Sequence, residues 1–242
     1  GYNTMSSYLR NPLLQNGMLP VDIVLAPSWW HRHAGISFDR DFFFHPAKRV
    51  ESERRMEQVL YDKWGRFGLG VNKDEDRPEV GPVHLAAGYL IQEMLGCQVD
   101  YIEDQPPQVV GANRETLDLD VDSAFESTVF KAFQELMESL KTRYGYLCGD
   151  VNWTGTLNAA LDLRGQMIFI DMVDRPEAVE GYFAKIAAVI ERFVDGIQAE
   201  TGTSSISVNR TVRLIKPPIY LPSECSHTMI SRQDYEKLLM PK

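Results

Sequence analysis

The chain has 242 residues, 44% of them hydrophobic and 24% charged. That globular composition excludes collagen-like, low-complexity and strongly disordered classes. Its formal net charge of −9, from 34 acidic and 25 basic residues, argues against a phosphate-backbone binder, which needs a basic patch. No apolar run approaches the ~18 residues of a membrane span. Neither nucleic acid nor membrane is therefore an expected partner. The three cysteines, Cys97, Cys148 and Cys225, are far apart and form no CxxC, so neither a disulfide framework nor a zinc ribbon is indicated. A reducing, cytoplasmic setting is expected.

In chain order, Val21–Ala26 reads as a first strand stopped by Pro27. A polar and aromatic stretch from Trp29 to Gly35 follows it. Ala47–Gly65 reads as a helix with Met56, Val59, Leu60 and Trp64 on one face. Val71–Pro82, charged and punctuated by Pro and Gly, reads as a loop. His84–Leu95 reads as a helix closed by Gly96. Gln98–Ile102 is a short alternating strand, and Gln105–Arg114 a loop. Ser123 and Glu126 have the spacing of a capping box. The stripe behind them is Phe125, Val129, Phe133, Leu136, Met137 and Leu140. Tyr146–Val151 is a strand, and a short helix runs on to Arg164. Asp174 caps the clearest helix, with Pro176 near its first position and Gly202 ending it. Ser204–Val208 and Pro218–Leu221 are strands. Ser231 and Asp234 cap a last helix that stops at Pro241. This alternation of strand and helix predicts a largely parallel sheet, either doubly wound or a (β/α) barrel.

Three clusters fall where strands end, the place where barrels keep their chemistry. The first holds Trp29, Trp30, His31, Arg32 and His33. Arginine binds carboxylates bidentately and indoles accept flat rings or cations. Trp30, His31, Arg32 and His33 are therefore candidate substrate-binding residues, the alternative being a packed Trp pair with surface histidines. The second runs from Gly149 to Gly155. Its glycines allow a ligand close to the backbone, which makes Asn152 and Trp153 candidates. The third is Ser223-Glu224-Cys225-Ser226-His227. Glu224 and His227 are candidate acid–base or orienting groups, with Ser223 and Cys225 contacting substrate. Metal ligation here would need a third protein ligand elsewhere. The alternative is a helix-entry loop whose polar groups satisfy backbone donors. His45, His84, Cys97 and Cys148 read as structural.

These clusters line up with a known pattern. Trp153-Thr154-Gly155 through Leu163-Arg164-Gly165, then Asp171-Met172-Val173-Asp174-Arg175-Pro176-Glu177, resembles the uroporphyrinogen decarboxylase superfamily. So do Leu95–Glu103 and Glu224–Ser231 followed by Tyr235 and Pro241. The resemblance implies a TIM (β/α)8 barrel, with residues 1–20 an N-terminal extension and 21–242 the N-terminal portion of one barrel. It also implies that Asp171 lies at a strand end before the following helix.

The superfamily holds decarboxylases, which need no cofactor. It also holds corrinoid-linked methyltransferases, which use zinc to activate a thiol and take a methyl group from a methylcobamide. Decarboxylases carry Arg-Gln-Ala-Gly-Arg after the first strand. Here Arg32-His33-Ala34-Gly35-Ile36 keeps one of the two arginines. The essential aspartate of the decarboxylases aligns near Ala87, in a segment without aspartate. By elimination, the resemblance implies a corrinoid-linked methyltransferase with a thiol acceptor. Its partners would be a corrinoid protein or a small molecule. The zinc pattern of that branch, His-x-Cys and a later Cys, is matched neither by His31-Arg32-His33 nor by Cys225-Ser226-His227, so zinc ligands are expected beyond this chain. The alternatives are a carboxy-lyase acting on a carboxylated tetrapyrrole and a non-catalytic ligand-binding barrel. A complete barrel takes about 250 residues, yet roughly five strand candidates are found. The chain thus reads as part of a longer protein, or as one whose open edge a second copy covers as a homodimer.

Overall fold

Apolar residues at three- and four-residue spacing dominate this sequence. They form helices in the computed structural model, which describes residues 25–81, 89–149, 154–202, 206–207, 220–221 and 224–240. The helices are α1 (Pro27–Ala34), α2 (Arg40–Phe44), α3 (Pro46–Trp64), α4 (Leu90–Met94), α5 (Val121–Glu126) and α6 (Thr128–Tyr144). After these come α7 (Thr156–Arg164), α8 (Met167–Asp174), α9 (Pro176–Thr201) and the short α10 (Arg232–Asp234), which runs into a π-helical turn at Tyr235–Leu239.

Between them lie six short strands: β1 (Glu79–Val80), β2 (Gln98–Asp100), β3 (Gln108–Val110), β4 (Cys148–Gly149), β5 (Ile206–Ser207) and β6 (Tyr220–Leu221). Among the described residues they pair in twos. β1 lies parallel to β4 and β5 parallel to β6, whereas β2 and β3 are antiparallel. Parallel partners require crossover connections, and α4, β2, β3, α5 and α6 lie between β1 and β4 in the chain. The β1–β4 pair depends on a small residue. Gly149 has φ 96° and faces Val80 so closely that a Cβ there would overlap the Val80 carbonyl.

The core runs along α9. Val179, Tyr182, Phe183, Ile186, Val189, Phe193, Val194 and Ile197 are all buried. The predicted α6 stripe is buried as well, at Val129, Phe133, Leu136, Met137 and Leu140. Phe133 and Phe193 pack with ring centres 6.3 Å apart. A second aromatic group gathers Phe38, Phe42, Phe43, Tyr89 and Tyr101 between α2 and α4.

Several expectations need correction. The Trp29–Gly35 stretch is helical rather than a strand-end loop. Pro27 is not a strand stop but the first position of α1, where its missing N–H costs nothing. The expected loop at Gln105–Arg114 contains β3, so the sheet structure is not purely parallel. Ser123 is not the cap of the helix behind it. It lies inside α5, whose N-cap is Asp120, while Ser127 caps α6 by accepting from the Phe130 N–H. Asp174 is the last residue of α8, and Arg175 is the N-cap of α9. Asp171 lies within α8, not at a strand end. Most of the strand expected at Val21–Ala26 lies outside the described residues, as does much of the helix expected at His84–Leu95. Ala26 itself is the N-cap of α1.

Phe133 is fully buried, so Phe133→Ala should destabilise the chain by about 3–5 kcal/mol, measured by urea unfolding. Gly149→Ala should also destabilise it, although it adds only a methyl group, because the β1–β4 hydrogen bonds cannot form around a Cβ.

Candidate functional site

The first N–H groups of a helix have no partner inside it. At α7 the N-cap is Gly155, which has no side chain to offer. The missing acceptor comes from the far end of the chain. Glu224 accepts from the Leu157 N–H through Oε2 at 3.2 Å and from the Asn158 N–H through Oε1 at 2.8 Å. Gly155 is required for this approach, since a Cβ there would overlap the Glu224 carboxylate. The carboxylate also lies at the positive end of the helix dipole.

Asn158 completes the clamp. Its Oδ1 accepts from the Ser226 N–H at 3.1 Å, and its Nδ2 lies 3.7 Å from the Cys225 sulfur. His227 turns its Nδ1 to the Glu224 carbonyl. A carbonyl only accepts, so Nδ1 carries the proton and Nε2 is left as the basic nitrogen. His227 and Cys225 are exposed and Glu224 is half-buried. Burial pushes the Glu224 carboxyl above its ordinary value, against the pull of the Asn158 and Leu157 N–H groups.

The α1 residues form a second group. Trp30 is buried in the core. Trp29 packs against it edge-on at 5.1 Å, against His33 at 4.7 Å and against Trp64 at 5.7 Å. His31 donates from Nδ1 to the Ile36 carbonyl at 3.0 Å. Arg32 and His33 are exposed. Among the described residues no hydrogen bond or ring contact joins this group to Glu224 and His227. Asn152, Trp153 and Ser223, together with His84, lie outside the described residues.

Sequence reasoning missed Asn158, whose neighbours Leu157 and Ala159 read as plain helix. It also gave no separate role to Arg164. Arg164 donates from Nε to Asp171 at 2.7 Å and from Nη1 to the Arg114 carbonyl at 2.6 Å. Arg175 bonds the other Asp171 oxygen. The hydrogen bond from Arg164 holds the buried Asp171 carboxyl below its ordinary value.

No protein-family model matches the sequence, and no curated protein matches it. Its fold is similar to that of a methyltransferase from Methanosarcina mazei. The TM-score is 0.58 at 12% identity, over 96% of this chain and 64% of that one. The chain thus spans under two thirds of that protein's length.

Folding raises the Glu224 pKa, so it favours the protonated side chain. The contribution of this group to stability is fully present in acid and falls as pH rises through the raised value. Glu224→Gln cannot titrate. The unfolding midpoint of the wild type should therefore rise relative to that of Glu224→Gln between about pH 7 and about pH 4, followed by circular dichroism. Glu224→Ala removes both acceptors and should cost about 0.5–2 kcal/mol.

Proposed function

We propose that this chain is a methyltransferase with the barrel fold of the uroporphyrinogen decarboxylase superfamily, moving a methyl group from a methylcobamide to a thiol. The observation that carries this reading is the clamp at the start of α7. It holds His227 with Nδ1 protonated and Nε2 free to take a proton, within one short segment that also presents Cys225 and Ser226. The fold likeness to a methyltransferase supports it. So do the resemblance at Thr154–Gly165 and the loss of the second arginine of the decarboxylase motif at Ile36.

In this reading Glu224 is an anchor. Both of its oxygens are held by backbone N–H groups, so it fixes the loop and leaves proton transfer to His227. The acceptor thiol gives its proton to His227 Nε2. The sulfur then forms the new bond to the methyl carbon as the carbon–cobalt bond breaks, and that electron pair stays with cobalt. Arg32 and His33, exposed on α1, would meet an anionic side group of the donor. Asn152, Trp153, Ser223 and Cys225 are the proposed contacts around the acceptor. Zinc does not fit the described residues, where no three His, Cys, Asp or Glu side chains come together as a ligand set. The roles given to Glu224 and His227 do not depend on it.

The test is anaerobic transfer from methylcobalamin to 2-mercaptoethanol, followed by loss of the methylcobalamin absorbance. The wild type should accelerate transfer over the protein-free rate. His227→Ala should slow it by about 10²–10⁴-fold, and the deficit should shrink at high pH, where the thiol ionises unaided. A wild-type rate equal to the protein-free rate would overturn the reading. A His227→Ala variant as fast as the wild type would remove His227 from it.

A further inference from the structure

The opposite end of α7, about 12 Å from the Glu224 clamp at ~1.5 Å per residue, carries a different arrangement. There a cleft of about 560 Å³ opens at the α7–α8 turn. It is lined by the polar residues Asn113, Arg114, Glu115, Arg164 and Gln166 and by the apolar residues Met167, Phe169 and Ile170.

Among the described residues, Arg114 stands outside the ion pairs around this cleft. Arg164 and Arg175 share the buried Asp171 carboxylate. Arg114 is half-buried and donates to the Leu95 carbonyl, but it pairs with no carboxylate among the described residues. A half-buried guanidinium without an anion is costly. Glu115 also lines the cleft, but it is exposed and makes no ion pair among the described residues. In α9, the Tyr182 hydroxyl is buried without a hydrogen-bond partner among the described residues. Asn113, also in the lining, takes the left-handed φ of 47° that asparagine adopts readily in turns.

The apolar lining comes from α8. Helix α8 reads Met-Ile-Phe-Ile-Asp-Met-Val-Asp. A helix apolar on every side is ordinarily buried all round, yet Met167, Ile170 and Val173 are 45%, 51% and 80% exposed. They follow one another at three-residue spacing, on the same face.

We propose that this cleft is a binding site for a small amphipathic carboxylate. Arg114 takes the carboxylate, and the ligand's hydrocarbon body lies along Met167, Phe169 and Ile170. One unpaired guanidinium beside an apolar wall suits a singly charged acid rather than a phosphate. The site is independent of the methyl-transfer reading, because none of its residues belongs to the Glu224 clamp.

The probe is hexanoate, with hexan-1-ol as its neutral counterpart, added to protein carrying ¹³C-methyl methionine. Hexanoate should shift the Met167 methyl signal saturably, at least about tenfold more tightly than hexan-1-ol. Arg114→Gln should weaken hexanoate binding about tenfold and leave hexan-1-ol unchanged. Arg114 also holds the Leu95 carbonyl, so a second variant guards against loss of fold. Ile170→Asp alters an exposed side chain and should abolish hexanoate binding while keeping the wild-type melting temperature. The proposal is overturned if there is no saturable shift up to about 10 mM hexanoate. It is equally overturned if acid and alcohol bind alike, or if Ile170→Asp binds hexanoate as the wild type does.

Discussion

One buried carboxylate organises the centre of this chain. Asp171 is 3% exposed and takes hydrogen bonds from Arg164 and Arg175. Arg164 closes α7, Asp171 sits in α8, and Arg175 opens α9. Three successive helices therefore meet at one carboxyl group, and Arg164 ties in a fourth segment through the Arg114 carbonyl. Such a pair is not strongly stabilising against an apolar substitute, but breaking it leaves a buried charge without a partner, at about 3–5 kcal/mol. It works chiefly as a constraint on geometry. With the α7–α8 turn fixed, the apolar stripe of α9 can meet α7 and α8 in only one register.

Helix α7 then becomes a short rigid beam with polar chemistry at both ends. Its N-terminal N–H groups are held by a carboxylate from the end of the described chain, and its C-terminal arginine by one from the next helix. Between the ends, Asp162 accepts from the Gln92 side chain at 3.1 Å, and the other inward residues are apolar. Leu157, Ala159, Ala160 and Leu163 are fully buried and hold the beam in place. The clamp at one end and the cleft at the other are thus positioned by the same packing without sharing a residue.

The sequence was most legible where structure is decided locally. Helix α3 was expected at Ala47–Gly65 and lies at Pro46–Trp64, because its stripe has plain helical spacing. Ser231 caps the last helix by accepting from the Asp234 N–H, which the capping-box spacing shows directly. Legibility failed where two signals compete. Pro27 can stop a strand or start a helix, and only packing of Trp30 into the core decides for the helix. The apolar run Met167–Val173, implied to end a strand at Asp171, is helix α8, because a short apolar run fits a buried strand or a helix equally well. At the site, Glu224 and His227 stood out as polar groups near a strand end. The alternative reading of that loop, polar groups satisfying backbone donors, describes Glu224 well. What no local pattern could show is that the donors belong to a helix 66 residues earlier. Asn158 was missed for the same reason.

That long reach has a consequence for how the site is held together. Closing a loop of this length costs conformational entropy that grows as (3/2)RT ln n, and here it is repaid by a few hydrogen bonds and by burial of Leu238 and Leu239. Docking of the segment from Glu224 to Leu239 therefore rests on those hydrogen bonds and on that burial, and local opening of the segment would free the α7 N–H groups without global unfolding. The amide hydrogens of Leu157 and Asn158 are protected only while it is docked. Their exchange with solvent reports how much of the time the chain holds its site closed.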